Sequence, residues 1–137
     1  RTTFWAAENR NFPGFAMVQG EDGSRSWGRN ADGELGDGSR VNRFAPVPVA
    51  GVAGVVAVAA GDDHSLALTA DGAVWAWGSN DFGQLGDGTN NNSLTPVEAF
   101  SLDDVDKVRC GPWHSLVMKN DGTYHKISMK WLGIDVR

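Results

Sequence analysis

The sequence predicts an all-β fold of consecutive antiparallel sheets. Three observations carry the prediction: a fifty-residue internal repeat, apolar stretches with the period of strands, and abundant turn residues. Glycine occurs 18 times and tryptophan six times in 137 residues. No extended run of helix-forming residues carries apolar positions at three-to-four spacing. An apolar fraction of 41% suffices for a packed core at this length.

The repeat is read directly from the residues. Trp27-Gly28-Arg29-Asn30-Ala31-Asp32-Gly33-Glu34-Leu35-Gly36-Asp37-Gly38-Ser39 returns fifty positions later as Trp77-Gly78-Ser79-Asn80-Asp81-Phe82-Gly83-Gln84-Leu85-Gly86-Asp87-Gly88-Thr89. The same register links Pro46-Val47 to Pro96-Val97, Gly61 to Gly111, His64-Ser65-Leu66 to His114-Ser115-Leu116, and Asp71-Gly72 to Asp121-Gly122. A single register without gaps marks one structural unit used repeatedly.

Within a unit, Val58 to Thr69 alternates small and apolar residues and places Leu66 and Leu68 on one face, which predicts a strand. Asp71-Gly72 supplies the positive φ of a two-residue hairpin turn. Ala73 to Gly78 returns as the partner strand, with Trp75 and Trp77 on a common face. Asn80 to Asn92 is dense in Gly, Asp and Asn and predicts an exposed loop. Pro96-Val97 then opens a short edge strand. The chain divides into an incomplete or degenerate unit over 1–45, a complete unit over 46–95, a partial unit over 96–126, and a tail over 127–137 that leaves the pattern. In the first unit Asp22-Gly23 stands one residue closer to Trp27 than the repeat demands, and Gly14 occupies the place predicted for a His. In the third, Ile127-Ser128 replaces the expected Trp-Gly.

The run Ala60-Gly61-x-x-His64-Ser65-Leu66-Ala67-Leu68-Thr69-x-Asp71-Gly72-x-Val74-Trp75-Ala76-Trp77-Gly78-x-Asn80-x-x-Gly83-Gln84-Leu85-Gly86-Asp87-Gly88-Thr89 resembles the repeat of the regulator of chromosome condensation family. The resemblance runs from about Trp27 to Gly122 and is greatest to regular bacterial versions, some of them secreted propellers that inhibit β-lactamases with loops on one face. It implies a seven-bladed β-propeller and, by bacterial analogy, a secreted or cell-surface setting. Closed propellers use roughly four to eight blades, and 137 residues hold fewer than three fifty-residue units. The expectation is therefore a partial propeller: a fragment of a longer protein, which is the preferred reading, a part that self-associates to complete a ring, or an open stack with capped ends.

Charge and composition exclude several functions. With 17 acidic against 12 basic residues the net charge is −5, and the basic residues form no stripe, which argues against a nucleic-acid partner. The longest apolar run, Val41 to Ala60, is broken by charge, proline and glycine and predicts no membrane span. Cys110 is the single cysteine, so neither an internal disulfide nor a Cys/His metal cluster is expected. The loops after Asn30 and Asn80 resemble calcium loops only superficially, because strands flank them and no closing bidentate Glu follows, so no metal and no cofactor are predicted.

His64 and His114, each followed by Ser, recur at one repeat position and read as strand-start hydrogen-bonding residues, not as catalytic bases. Trp27, Gly28, His64, Trp77, Gly78, Gly83, Leu85, Gly86 and His114 form the structural framework. Positions that differ between units are free to select a partner: Arg29 against Ser79, Asp32 against Phe82, and Asp63 against Trp113. The partner-binding candidates are thus Arg29, Asp32, Asp63, Phe82 and Trp113. The expected function is a non-enzymatic scaffold that recognises a protein through loops on one face. The family resemblance implies an alternative, guanine-nucleotide exchange on a small GTPase. Adjacent carboxylates such as Asp62-Asp63 would point apart on a strand and do not suggest a hydrolase.

Overall fold

The computed structural model describes residues 5–8, 14–20, 23–99, 104–111, 114–126 and 135–136. Twelve strands among them form three four-stranded sheets. The first contains β1 (Trp5–Glu8), β2 (Phe15–Gly20), β3 (Gly23–Gly28) and β4 (Arg43–Pro48). The second contains β5 (Val55–Ala60), β6 (His64–Thr69), β7 (Val74–Gly78) and β8 (Ser93–Glu98), and the third β9 (Val105–Cys110), β10 (Ser115–Lys119), β11 (Tyr124–Lys126) and β12 (Asp135–Val136). Each sheet is an antiparallel meander in which neighbours in sequence are neighbours in space. Consecutive small meanders packed face to face are propeller blades, as the sequence predicts. Residues 127–134, most of the off-pattern tail, lie outside the described residues.

Turn geometry accounts for the irregular first unit. In the second sheet the hairpin is closed by the Thr69 N–H donating to Ala73 O at 3.0 Å, and three residues, not two, connect the strands. The Gly72 N–H also donates to Thr69 O at 3.0 Å, and Gly72 has φ +84°. This is a tight turn followed by one left-handed residue, so only the glycine needs positive φ. In the first sheet Gly20 pairs with Gly23, which leaves a two-residue connection. The missing residue before Trp27 is therefore absorbed in the turn. Beyond it the register shifts by one: Phe15 pairs with Gly28 as His64 pairs with Gly78. Phe15, buried at 3% exposure, takes the place of His64, and the sequence register that put Gly14 there is corrected.

The outer strands β4 and β8 contain Pro46, Pro48 and Pro96 within the strand and not ahead of it. Each is the edge of its sheet, where a missing N–H breaks no ladder.

The central sheet is covered on both sides, and β6 is buried along its whole length. Alternation sorts its side chains. Leu66 and Leu68, with Val74 and Ala76 from β7, pack against Val105, Val108 and Val117 of the third sheet. Ala67 and Trp77 face the opposite way and pack with Met17 of the first sheet and with Val49. Trp77 is fully buried. Its indole Nε1 donates to the Glu34 carbonyl at 2.9 Å, and the hydroxyl of Ser65, its cross-strand partner, donates to the same oxygen at 2.7 Å. The glycine loop of one unit is thereby stitched to the next sheet. Gly36 lets the indole approach, since a Cβ there would lie 2.6 Å from Nε1.

Trp77→Phe keeps most of the apolar burial but strands one hydrogen bond of the Glu34 carbonyl, so a loss of about 1–2 kcal/mol is expected in chemical denaturation. Gly36→Val, which forces the indole out and strains a residue at φ +72°, is expected to cost more.

Candidate functional site

The loops after β3 and β7 share one internal scaffold. Asn30 is completely buried. Its Nδ2 donates to the Ser39 and Val41 carbonyls, both at 3.0 Å, and to Asp37 Oδ1 at 3.2 Å, while its Oδ1 accepts the Leu35 N–H at 3.0 Å. Its backbone N–H donates to Asn42 Oδ1 at 2.9 Å. Asn80 repeats every contact, with Thr89, Asn91, Asp87, Leu85 and Asn92. One amide side chain thus replaces the missing strand ladder across a loop. Burial works against the Asp37 carboxylate, but hydrogen bonds from Ser39, Arg43 and Asn30 hold it below its ordinary range. Gly33 and Gly83, both at positive φ, turn the chain so that Leu35 and Leu85 plug inward at 0% exposure.

On this scaffold the differing positions come together. The Arg29 Nη1 lies 2.6 Å from Glu34 Oε2, 2.6 Å from Asp63 Oδ1 and 3.3 Å from Asp32 Oδ2. Arg29, Asp32 and Glu34 belong to the first loop, whereas Asp63 immediately precedes β6, so the cluster bridges two sheets. Burial opposes the Arg29 charge, yet Glu34, Asp63 and Asp32 raise its pKa above the ordinary value. Burial likewise pushes Glu34 up against the pull of backbone N–H groups and Arg29, and pushes Asp63 up against the pull of Arg29. The three carboxylates approach within 4.8 Å of one another, a spacing that a metal ion could bridge. Here the guanidinium supplies the positive charge.

The second loop solves the same problem without charge. Gln84 Oε1 accepts the Phe82 N–H at 2.9 Å just as Glu34 Oε1 accepts the Asp32 N–H at 2.9 Å. Gln84 Nε2 then lies 3.5 Å from Ser79 Oγ, where the first loop has Arg29. Phe82, at the place of Asp32, is 57% exposed. Trp113, at the place of Asp63, lies outside the described residues. Glu34 and Gln84 are therefore site residues absent from the sequence-based set, as are Asn30 and Asn80. Their signal was present: both Asn and their downstream partners recur at fifty-residue spacing.

The framework residues take distinct places. Trp27 is half-buried on β3, Gly28 and Gly78 have φ +111° and +103°, and Trp77 is buried. His64 does not pair with the adjacent serine. Its Nε2 lies 2.9 Å from Ser115 Oγ on the next sheet. Both residues are 0% exposed.

Three interlocked meanders with recurrent glycine loops define a propeller-repeat protein. The family model described as the regulator of chromosome condensation (RCC1) repeat matches residues 26–68 and 71–118, and a second model of that description matches 55–84. The chain belongs to the regulator of chromosome condensation repeat family. Its fold is similar to human WBSCR16, with a TM-score of 0.70 and 27% identity over 82% of this chain and 31% of that one. It is also similar to Prp20p from Saccharomyces cerevisiae, with TM-score 0.70 and 27% identity over 82% of this chain and 28% of that one. The same yeast protein in complex with Kap60 gives TM-score 0.67 and 27% identity over 82% and 27% of the respective chains. The chain thus spans less than a third of the length of these relatives. No curated protein sequence matches it at a significant level.

Replacing Arg29 by Ser leaves Glu34 buried without its counter-charge. Arg29→Ser is expected to cost roughly 2–4 kcal/mol in urea unfolding, and Arg29→Ser with Glu34→Gln, which copies the second loop, to recover most of it. Equal losses in the two variants would contradict the charge argument.

Proposed function

We infer that the chain is a non-catalytic protein-binding scaffold whose partner contacts the loops after β3 and β7. Phe82 carries the reading. A large aromatic side chain is exposed on a loop whose backbone is pinned by Asn80 and Gln84, and such a group offers apolar contact at little ordering cost. Arg29 and Asp32 on the neighbouring loop, with Asp63 just before β6, form the polar counterpart; Trp113, the remaining candidate, lies outside the described residues. The pairing of a fixed framework with varied tips is how repeat proteins change partners without changing fold. Relatives support a protein as the partner: the yeast protein has been solved bound to Kap60, and its binding to Gsp1p and histones has been described.

A photo-crosslinking residue at position 82 tests the assignment against one at position 56, beside the β6–β7 turn at the opposite ends of the strands. Cross-linked protein is expected from position 82 and not from position 56; with the crosslinker moved to the exposed neighbouring position 81, Phe82→Ala is expected to abolish capture while leaving the melting temperature unchanged. Capture from position 56 alone would overturn the assignment.

A further inference from the structure

His64 opens β6 and points towards the third sheet, where its Nε2 lies 2.9 Å from Ser115 Oγ. Ser115 has one hydroxyl proton, and that proton is aimed at the Gln84 carbonyl at 2.8 Å, a group that can only accept. The network therefore assigns the ring proton to Nε2, which donates to Ser115. Nδ1 is left as a bare lone pair, a buried side-chain atom with no hydrogen-bond partner among the described residues. The ring is also wedged in place. A Cβ on Gly61 would lie 2.3 Å from its Cε1 and 2.6 Å from its Nδ1. A second proton could enter only at Nδ1, as a charged N–H without an acceptor at a fully buried site.

We propose that His64 is an acid-sensitive latch between the second and third sheets, and that its protonation at Nδ1 breaks the β6–β10 junction. Burial pushes the imidazole down to about 4, with the neighbouring His114 ring acting in the same direction and the His114 backbone pulling against both. Among the described residues, few titratable groups face the junction. His114 precedes β10, and the Cys110 thiol at the end of β9, held protonated by burial, is hydrogen-bonded to the same Ser115. Asp63, the preceding residue on the same segment, is engaged by Arg29. As placed, none is hydrogen-bonded to Nδ1.

Above about pH 6.5 the side chain is neutral in both folded and unfolded chains and the latch is intact. Between about 6.5 and about 4 the unfolded chain binds a proton that the folded chain refuses, so stability falls across that window. The melting temperature of the intact chain should fall by roughly ten degrees from pH 7.5 to pH 4.5. His64→Gln should begin lower at pH 7.5 and lose much less. If that variant does not fold, proton NMR of the three histidines decides. One Cε1–H resonance should hold its neutral position down to about pH 5, and Ser115→Ala should shift it. A fall in His64→Gln as large as in the parent, or three histidines all titrating near pH 6.5, would overturn the latch.

Discussion

The carbonyl oxygen of Glu34 is where the sheets are joined. It accepts the Ser65 hydroxyl and the Trp77 indole from the next sheet, and it reaches them because the loop that carries it is held rigid by Asn30 and turned by Gly33 and Gly36. The second loop repeats the device, with the Gln84 carbonyl accepting the Ser115 hydroxyl of the third sheet at 2.8 Å. A four-stranded meander has two apolar faces and cannot bury both alone. Stitching each loop to the following sheet sets the distance and angle at which those faces meet, and β6 becomes buried on both sides as a consequence.

This constraint divides the loop residues into two kinds. Asn30, Leu35, Gly36 and their equivalents are spent on the join and leave no freedom for variation. The tips around Asp32 and Phe82 are held by the same backbone bonds whatever side chain they carry, because Glu34 and Gln84 both fix the tip N–H through a terminal oxygen. A carboxylate in the first loop and an amide in the second then require different neighbours. Arg29 and Asp63 accompany the charge, and Ser79 accompanies the amide. Variation at these places is correlated by electrostatics even before a partner is considered.

Much of the fold was legible in the sequence because its signals were local and repeated. The strand alternation at Leu66 and Leu68 and the Pro-bearing edge strands each follow from a few adjacent residues. The turn length is not specified locally, because Asp-Gly is compatible with both two- and three-residue connections and only the Thr69–Ala73 closure distinguishes them. That one residue propagated into the placing of Gly14 against His64. Long-range contacts were less accessible. The sequence marks Arg29, Asp32 and Asp63 only as differing positions and does not bring them together, and the buried role of Glu34 depends on how deeply the loop folds back. The partner of His64 lies 51 positions away on another sheet, and no spacing rule specifies it.

Native-state hydrogen exchange tests the join most directly. If the loop carbonyls lock the sheets into one cooperative unit, the amides of Leu35, Ala67 and Val117, from the first loop, β6 and β10, should exchange with a common opening free energy and the same denaturant dependence. Exchange of Leu35 through a low-energy local opening, while Ala67 and Val117 remained protected, would contradict the account.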